Sequence, residues 1–152
     1  MDLNFKAINE PIIDFEPGSE HRKLLLEEIE RQSSRQKDIP SIINGKEIRT
    51  GNTKPCTKPQ DHGHILGHYH EAGPEEIQMA IDSSLEAWKI WSNTSLEERA
   101  KIFKKVADLI AGPYRYKINA AAMLDIGKSV FQAEVDASCE LIDFLNFNIE
   151  FA

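Results

Sequence analysis

The chain has 152 residues, of which 41% are apolar, 8% aromatic and 28% charged, the composition of an ordinary globular domain. At this length a compact fold buries roughly 68–70% of the surface that its unfolded chain exposes, so a core can form without staples. Twenty-five Asp and Glu against 18 Lys and Arg leave a formal charge of −7, which argues against nucleic acid or an anionic membrane as the partner and leaves small ligands open.

No stretch approaches the ~18 continuous apolar residues of a spanning helix. The start, Met1-Asp2-Leu3-Asn4-Phe5-Lys6, lacks the basic-then-apolar plan of an export signal, and Asp2, Glu10 and Asp14 are foreign to an acid-poor organelle presequence. The expected compartment is the cytoplasm. Two cysteines, Cys56 and Cys139, are too few for a disulfide framework and are expected to be reduced.

Residues 1–18 carry Pro11, Pro17 and Gly18 among mixed apolar residues and predict an extended arm. Ser19 can cap a peripheral helix through about Arg35, with Leu25, Leu26 and Ile29 as its stripe and Glu27–Arg31 as an i,i+4 pair. Ser41-Ile42-Ile43, Asn44-Gly45 and Lys46-Glu47-Ile48-Arg49 predict a hairpin, because Asn-Gly supplies the positive φ angles of a type I′ turn. Thr50 to Gln60, with Gly51, Pro55 and Pro59, predicts a loop, and Ile65 to His70 a third short strand.

From Gly73 the pattern is helical. Pro74 suits a first helical position and Glu75 and Glu76 the positive end of the dipole, with Ile77, Ile81, Ser84 and Trp88 at helical spacing. Ser95-Leu96-Glu97-Glu98 is a capping box opening a second helix, whose expected core face is Ile102, Phe103, Val106, Ala107 and Ile110. Gly112, expected in the left-handed conformation, and Pro113 end it. A further helix from Pro113 to about Leu124 is broken by Asp125-Ile126-Gly127-Lys128. The last begins near Ser129 and carries two apolar stripes, Ala133, Ala137, Leu141, Phe144 and Val135, Ile142, Leu145, so it expects partners on several sides. It reaches Ala152 without a closing signal, and the chain is therefore expected to be the amino-terminal piece of a longer polypeptide.

Four histidines, His62, His64, His68 and His70, would share one face of a strand. A His-x-His pair can chelate zinc, but Gly63 and Gly67 interrupt the run and no Cys or second carboxylate completes a tetrahedral set. These are read as hydrogen-bonded surface and turn histidines, and no metal is expected. Cys139 lies in an apolar helix, where burial raises a thiol pKa and makes it inert. Glu134, Asp136 and Asp143 read as solvated helix charges, whereas Glu140 sits on or beside the apolar stripe, where a carboxylate is paired or functional. Neither GxGxxG, nor a P-loop, nor GxSxG occurs, so no catalytic and no cofactor-binding residue is expected in this chain.

The run Trp88-Lys89-Ile90-Trp91, Ser95-Leu96-Glu97-Glu98-Arg99-Ala100-Lys101-Ile102-Phe103, Ala107-Asp108-Leu109-Ile110 and Asp125-Ile126-Gly127-Lys128 resembles the amino-terminal helices of the aldehyde dehydrogenase superfamily. Asn9-Glu10-Pro11, Pro17-Gly18-Ser19, Asp61-His62-Gly63-His64, Ala111-Gly112-Pro113 and Gln132-Ala133-Glu134-Val135-Asp136-Ala137 running into Glu140-Leu141-Ile142-Asp143-Phe144 are similar to the branch that oxidises L-glutamate γ-semialdehyde. Ser129, where Pro commonly follows Gly-Lys in the wider superfamily, fits that branch.

The resemblance implies an α/β fold, represented here by its predominantly helical amino-terminal part, with a short antiparallel hairpin and a third short strand before four or five helices. It implies an arm over 1–18, a peripheral helix and small strands over 19–72, and the helical part of an NAD-binding domain over 73–152. The implied reaction is NAD-dependent oxidation of glutamate γ-semialdehyde (pyrroline-5-carboxylate) to glutamate in proline degradation, by a cysteine thiolate and a glutamate-activated water that both lie downstream of Ala152. NAD is implied for the parent enzyme and not for this chain alone. Glu140 is the residue that the resemblance places beside the substrate. Implied partners are the remainder of the same polypeptide, further copies in a homo-oligomer, and proline dehydrogenase; a eukaryotic parent would reside in the mitochondrial matrix. The competing reading from another class is a non-catalytic helical interaction module.

Overall fold

A computed structural model describes residues 5–152; the first four residues of the expected arm lie outside them. The chain divides into two compact units, one built from the described residues up to Ser34 together with Ser95–Ala152, the other from Arg35–Thr94.

In the first unit residues 5–16, which carry Pro11, form neither helix nor strand. A turn at Pro17-Gly18, with Gly18 at φ 83°, leads to α1 (Glu20–Ser33), capped by the Ser19 hydroxyl, which accepts from the Arg22 N–H. Arg31 does not pair with Glu27 as expected. Its fork closes on both oxygens of Glu28 at 2.7 and 2.5 Å. Glu28 also accepts from Gln32, whose amide reaches the Lys117 carbonyl, so the half-buried Glu28 offers the more confined carboxylate.

Helix α3 (Leu96–Ala111) opens with the expected capping box between Ser95 and Glu98. A turn through Gly112-Pro113-Tyr114 precedes α4 (Arg115–Asp125). Gly112 has φ −105°, so it is not the left-handed stop anticipated; proline alone interrupts the ladder there. The left-handed glycine is Gly127, at φ 70° after α4, where the Ile126 and Lys128 N–H groups both return to the Ala122 carbonyl. The last helix starts at a second box, Ser129 with Gln132. It runs as α5 (Val130–Gln132), a π-helical stretch (Ala133–Cys139) and α6 (Glu140–Phe151).

Ala107 and Ile110 of α3 meet Ile142 of α6 in the core, flanked by Ala111, Ile118 and Leu145. Of the expected core face of α3, Ile102, Phe103 and Val106 are exposed: α6 and α4 meet one side of the helix, and no described element of this unit covers the other. The stripes expected on the last helix are also displaced. Ala133, Glu134, Ser138, Cys139 and Ile142 are buried, while Leu141 and Phe144 face solvent, because i→i+5 winding between Ala133 and Cys139 breaks the 3.6-residue period.

In the second unit, β1 (Lys37–Ile39), β5 (Asp61–His70) and β4 (Thr53–Lys58) form a sheet in the order β1-β5-β4, with β1 parallel and β4 antiparallel to β5. Thr53–Lys58 is thus a strand where a loop was expected, with Pro55 opposite His68; β4 is an edge, where a missing N–H is tolerated. A Cβ on Gly67 would lie 2.5 Å from the Lys37 carbonyl oxygen, so this glycine is what lets β1 approach. The hairpin is as expected: β2 (Ser41–Ile43) pairs antiparallel with β3 (Lys46–Ile48) around Asn44 and Gly45 at φ 51° and 70°. Helix α2 (Pro74–Trp91) buries none of its residues; its stripe is open, with Trp88 65% exposed.

Candidate functional site

The most confined charges of the first unit lie where the arm crosses the start of α4 and the π-helical stretch. Arg115, at the first position of α4, sits at the positive end of that helix dipole, an unfavourable place for a cation without a nearby anion. Glu134 supplies it. Arg115 is 3% and Glu134 0% exposed, and the guanidinium engages the carboxylate through Nε, at 3.1 and 3.3 Å from its two oxygens, and through Nη2. Nη1 donates to Glu10 Oε1 at 2.5 Å and Nη2 to the Pro11 carbonyl at 2.7 Å. Asn119 Nδ2 donates to Glu134 Oε2, and Ser138 in turn to Asn119 Oδ1, each at 2.7 Å. The reading of Glu134 as a solvated charge is therefore wrong.

Burial pushes the Glu134 pKa up, but Arg115, the Ile13 N–H and Asn119 more than reverse it, and the group rests below its usual value near 4.5. For Arg115 burial acts downward and the hydrogen bonds it donates to Glu134 and Glu10 prevail, keeping it charged. Each buried charge is thus compensated, the condition under which such groups are tolerated.

Cys139 borders this network, with Sγ 3.2 Å from Arg115 Nη2. Its thiol is pushed up to about 11, by burial first and by the Glu134 charge second. A thiol so protonated at neutral pH is a poor nucleophile, which agrees with the inert filler expected.

Glu140 does not join the buried pair. It is exposed, and it lines a cleft of about 260 Å³ whose other walls include Asn9, Glu10 and Ile12 of the arm and Val135 and Asp143 of the last helix. The cleft is acidic and carries no nucleophile of its own apart from the inert Cys139.

In the second unit the histidine strand is interrupted by irregular pairing between Cys56 and Lys58 of β4 and the facing part of β5. His70 is its best-defined member. Nδ1 accepts from the Gly51 N–H at 3.1 Å, so Nε2 carries the proton and donates to Asp38 Oδ1 at 2.9 Å; Asp38 also accepts from Arg49. Among the described residues no three His, Cys, Asp or Glu side chains gather into a metal-holding group.

The turn from β5 into α2 has the strand-to-helix form that dinucleotide-binding folds use for phosphate. It does not suit an anion here. The Gly73 N–H is taken by Glu76 Oε2 at 2.8 Å, and Glu75 and Glu76 add negative charge to the first turn. These residues do not fit a nicotinamide dinucleotide.

These helices and small sheets form the amino-terminal portion of an aldehyde dehydrogenase fold. The family model for the aldehyde dehydrogenase family matches residues 47–152, and the chain belongs to that family. The mitochondrial delta-1-pyrroline-5-carboxylate dehydrogenase of Dictyostelium discoideum is 41% identical over 145 residues, covering 95% of this chain and 26% of that protein. The crystal structure of the delta-pyrroline-5-carboxylate dehydrogenase from Mycobacterium tuberculosis, bound with NAD and cobalamin, is similar with a TM-score of 0.94 and 38% identity, covering 96% of this chain and 28% of that one. Proline utilization A (PutA) from Bdellovibrio bacteriovorus is similar with a TM-score of 0.89 and 28% identity, over 97% of this chain and 15% of that one. The chain spans about a quarter of the length of the curated relatives it matches. Among the described residues no helix is long and apolar enough to cross a membrane.

Proposed function

We propose that this chain forms the leading part of an NAD-dependent dehydrogenase that oxidises L-glutamate γ-semialdehyde, the open form of pyrroline-5-carboxylate, to L-glutamate. The observation that carries the reading is the match, in sequence and in fold together, to pyrroline-5-carboxylate dehydrogenases over nearly the whole chain.

On this reading NAD, held by residues beyond this chain, accepts the hydride. The thiolate that attacks the aldehyde also comes from beyond it, since Cys139 is buried and protonated. The chain's own work is positional. Residues 73–152 pack beside the dinucleotide-binding sheet, the Arg115–Glu134 pair holds the arm, and Glu140, exposed in its cleft, borders the path of the substrate and faces its polar end. Further copies of the enzyme and proline dehydrogenase are the partners that follow, with the mitochondrial matrix as the compartment in a eukaryote and the cytoplasm in a bacterium.

The test is NADH formation from pyrroline-5-carboxylate by the polypeptide that the native gene encodes through this segment, beside the 152-residue chain alone. The larger polypeptide is expected to turn over and the short chain to be inactive. A gene product ending at Ala152 that folds as a stable monomer would favour the interaction module instead.

A further inference from the structure

Three carboxylates of the last helix each accept one backbone N–H of the arm. Ala7 N donates to Glu150 Oε2 at 2.6 Å, Glu10 N to Asp143 Oδ1 at 2.6 Å, and Ile13 N to Glu134 Oε1 at 2.8 Å. The donors recur every third residue and the acceptors run the opposite way along the helix. We infer that the last helix carries a strip that reads the backbone of an extended segment, and that the arm, its resident occupant, opens from its outer end in the order Ala7, Glu10, Ile13.

The two repeats are commensurate. The donor spacing matches a polyproline-type repeat, in which three residues advance about 9 Å and return the N–H to the same side. Seven residues of α-helix, the interval from Asp143 to Glu150, advance about 10.5 Å in close to two turns, so both carboxylates lie on one face. The nine residues from Glu134 to Asp143 would make about two and a half turns of α-helix and put Glu134 on the opposite face. They pass instead through Ala133–Cys139, whose i→i+5 winding fits more residues into each turn and returns Glu134 toward the arm. The π-helical stretch thus brings the third acceptor back toward the side of the other two.

The contacts are graded along the strip. At the inner end Glu134 is fully buried, and Arg115 adds bonds to the Pro11 carbonyl and to the Glu10 side chain. The middle position has Asp143, which also accepts from exposed Asn9 Nδ2 at 2.8 Å. The outer position rests on Glu150, itself exposed. Apolar burial adds little: Ala7 is buried, but Ile8 and Ile12 are exposed. Asn9, Glu10 and Ile12 line the Glu140 cleft, so opening past Asn9 widens it.

Amide hydrogen exchange on the polypeptide that the native gene encodes through this segment tests this. Protection is expected to rise from Ala7 through Glu10 to Ile13, with Ile13 at least about tenfold above Ala7. Glu150→Ala should lower Ala7 protection about tenfold, the scale of one hydrogen bond to a charged acceptor, and leave Ile13 and the core amide of Ile142 within about twofold. Asp143→Ala should lower Glu10, whereas Asp143→Asn, which keeps an acceptor oxygen, should retain part of its protection. Exchange of all three arm amides at one rate, or a Glu150→Ala effect spread equally over them, would overturn the inference. The order in the unsubstituted chain decides even if a variant fails to fold.

Discussion

Arg115 and Glu134, nineteen residues apart in sequence, meet with both carboxylate oxygens facing the guanidinium and neither side chain exposed to water. The first turn of α4 and the π-helical stretch are joined there to the arm, through Glu10 and Pro11. A buried pair of this kind adds little net stability by existing, but losing one member strands the other.

Replacing Arg115 with Met should therefore destabilise the chain by about 3–5 kcal/mol, the cost of an uncompensated buried carboxylate. Arg115→Lys should recover little, because a single ammonium cannot serve two carboxylates and a carbonyl as a fork does. Glu134→Leu added to Arg115→Met should regain much of the loss. Urea unfolding followed by circular dichroism checks all three.

The same pair sets the acid side of the stability profile. Glu134 has a folded pKa below its unfolded one, so its contribution is complete above the usual glutamate value and is lost as pH falls through the folded value. Melting temperature should fall as the solution is acidified below about 4.5, and Glu134→Gln should flatten that fall while lowering stability at neutral pH. Glu28, lowered by Arg31, acts in the same direction but more weakly, since Arg31 is exposed.

Local signals were the legible ones. The Ser95–Glu98 box, the helix start near Ser129, the Ser19 cap, the Asn44-Gly45 turn and the Pro74 start depend on a few neighbouring residues, and all five form. What depended on distant partners was not legible. Strand β1 exists because Gly67 admits it, β4 tolerates Pro55 because it is an edge, and Glu134 is buried because the helix fits more residues into each turn just there. Assuming 3.6 residues per turn throughout assigns Glu134 to water. One clue was present: an arginine in the first turn of a helix, against the dipole, calls for a carboxylate from elsewhere.

Cys139 should be nearly unreactive in the native chain. With its thiol pushed up to about 11 by burial and by Glu134, little thiolate exists at neutral pH. Alkylation by iodoacetamide, read by mass spectrometry, should be slow when native and rapid in urea. Fast native labelling of Cys139 would show that the arm does not cover it as described.

The open faces of α2 and the last helix should make the isolated chain adhesive. On the last helix Phe144 is 60% exposed, and Phe131 and Phe151 are exposed; on α2 Ile77, Leu85 and Trp88 are exposed; open apolar faces of this kind seek partners. Each large side chain left in water forgoes on the order of 1.5–3 kcal/mol relative to burial. The 152-residue chain is expected to bind a hydrophobic dye and to self-associate in sedimentation velocity, and substitution of Phe144 and Phe151 by polar residues should reduce both.

On the proposed function this chain is the leading part of an enzyme acting on glutamate γ-semialdehyde, with Glu140 beside the substrate. Steady-state NADH formation by the polypeptide encoded through this segment, with pyrroline-5-carboxylate as substrate, tests it most directly, run for the unsubstituted protein and for Glu140→Ala. Turnover is expected to depend on both pyrroline-5-carboxylate and NAD, and kcat/KM to fall about tenfold or more in the variant, equivalent to roughly 1.4 kcal/mol of transition-state stabilisation, with the melting temperature unchanged. Absence of turnover with this substrate in a folded protein that oxidises other aldehydes would contradict the substrate; unchanged kinetics with reduced thermal stability in the variant would contradict the place given to Glu140.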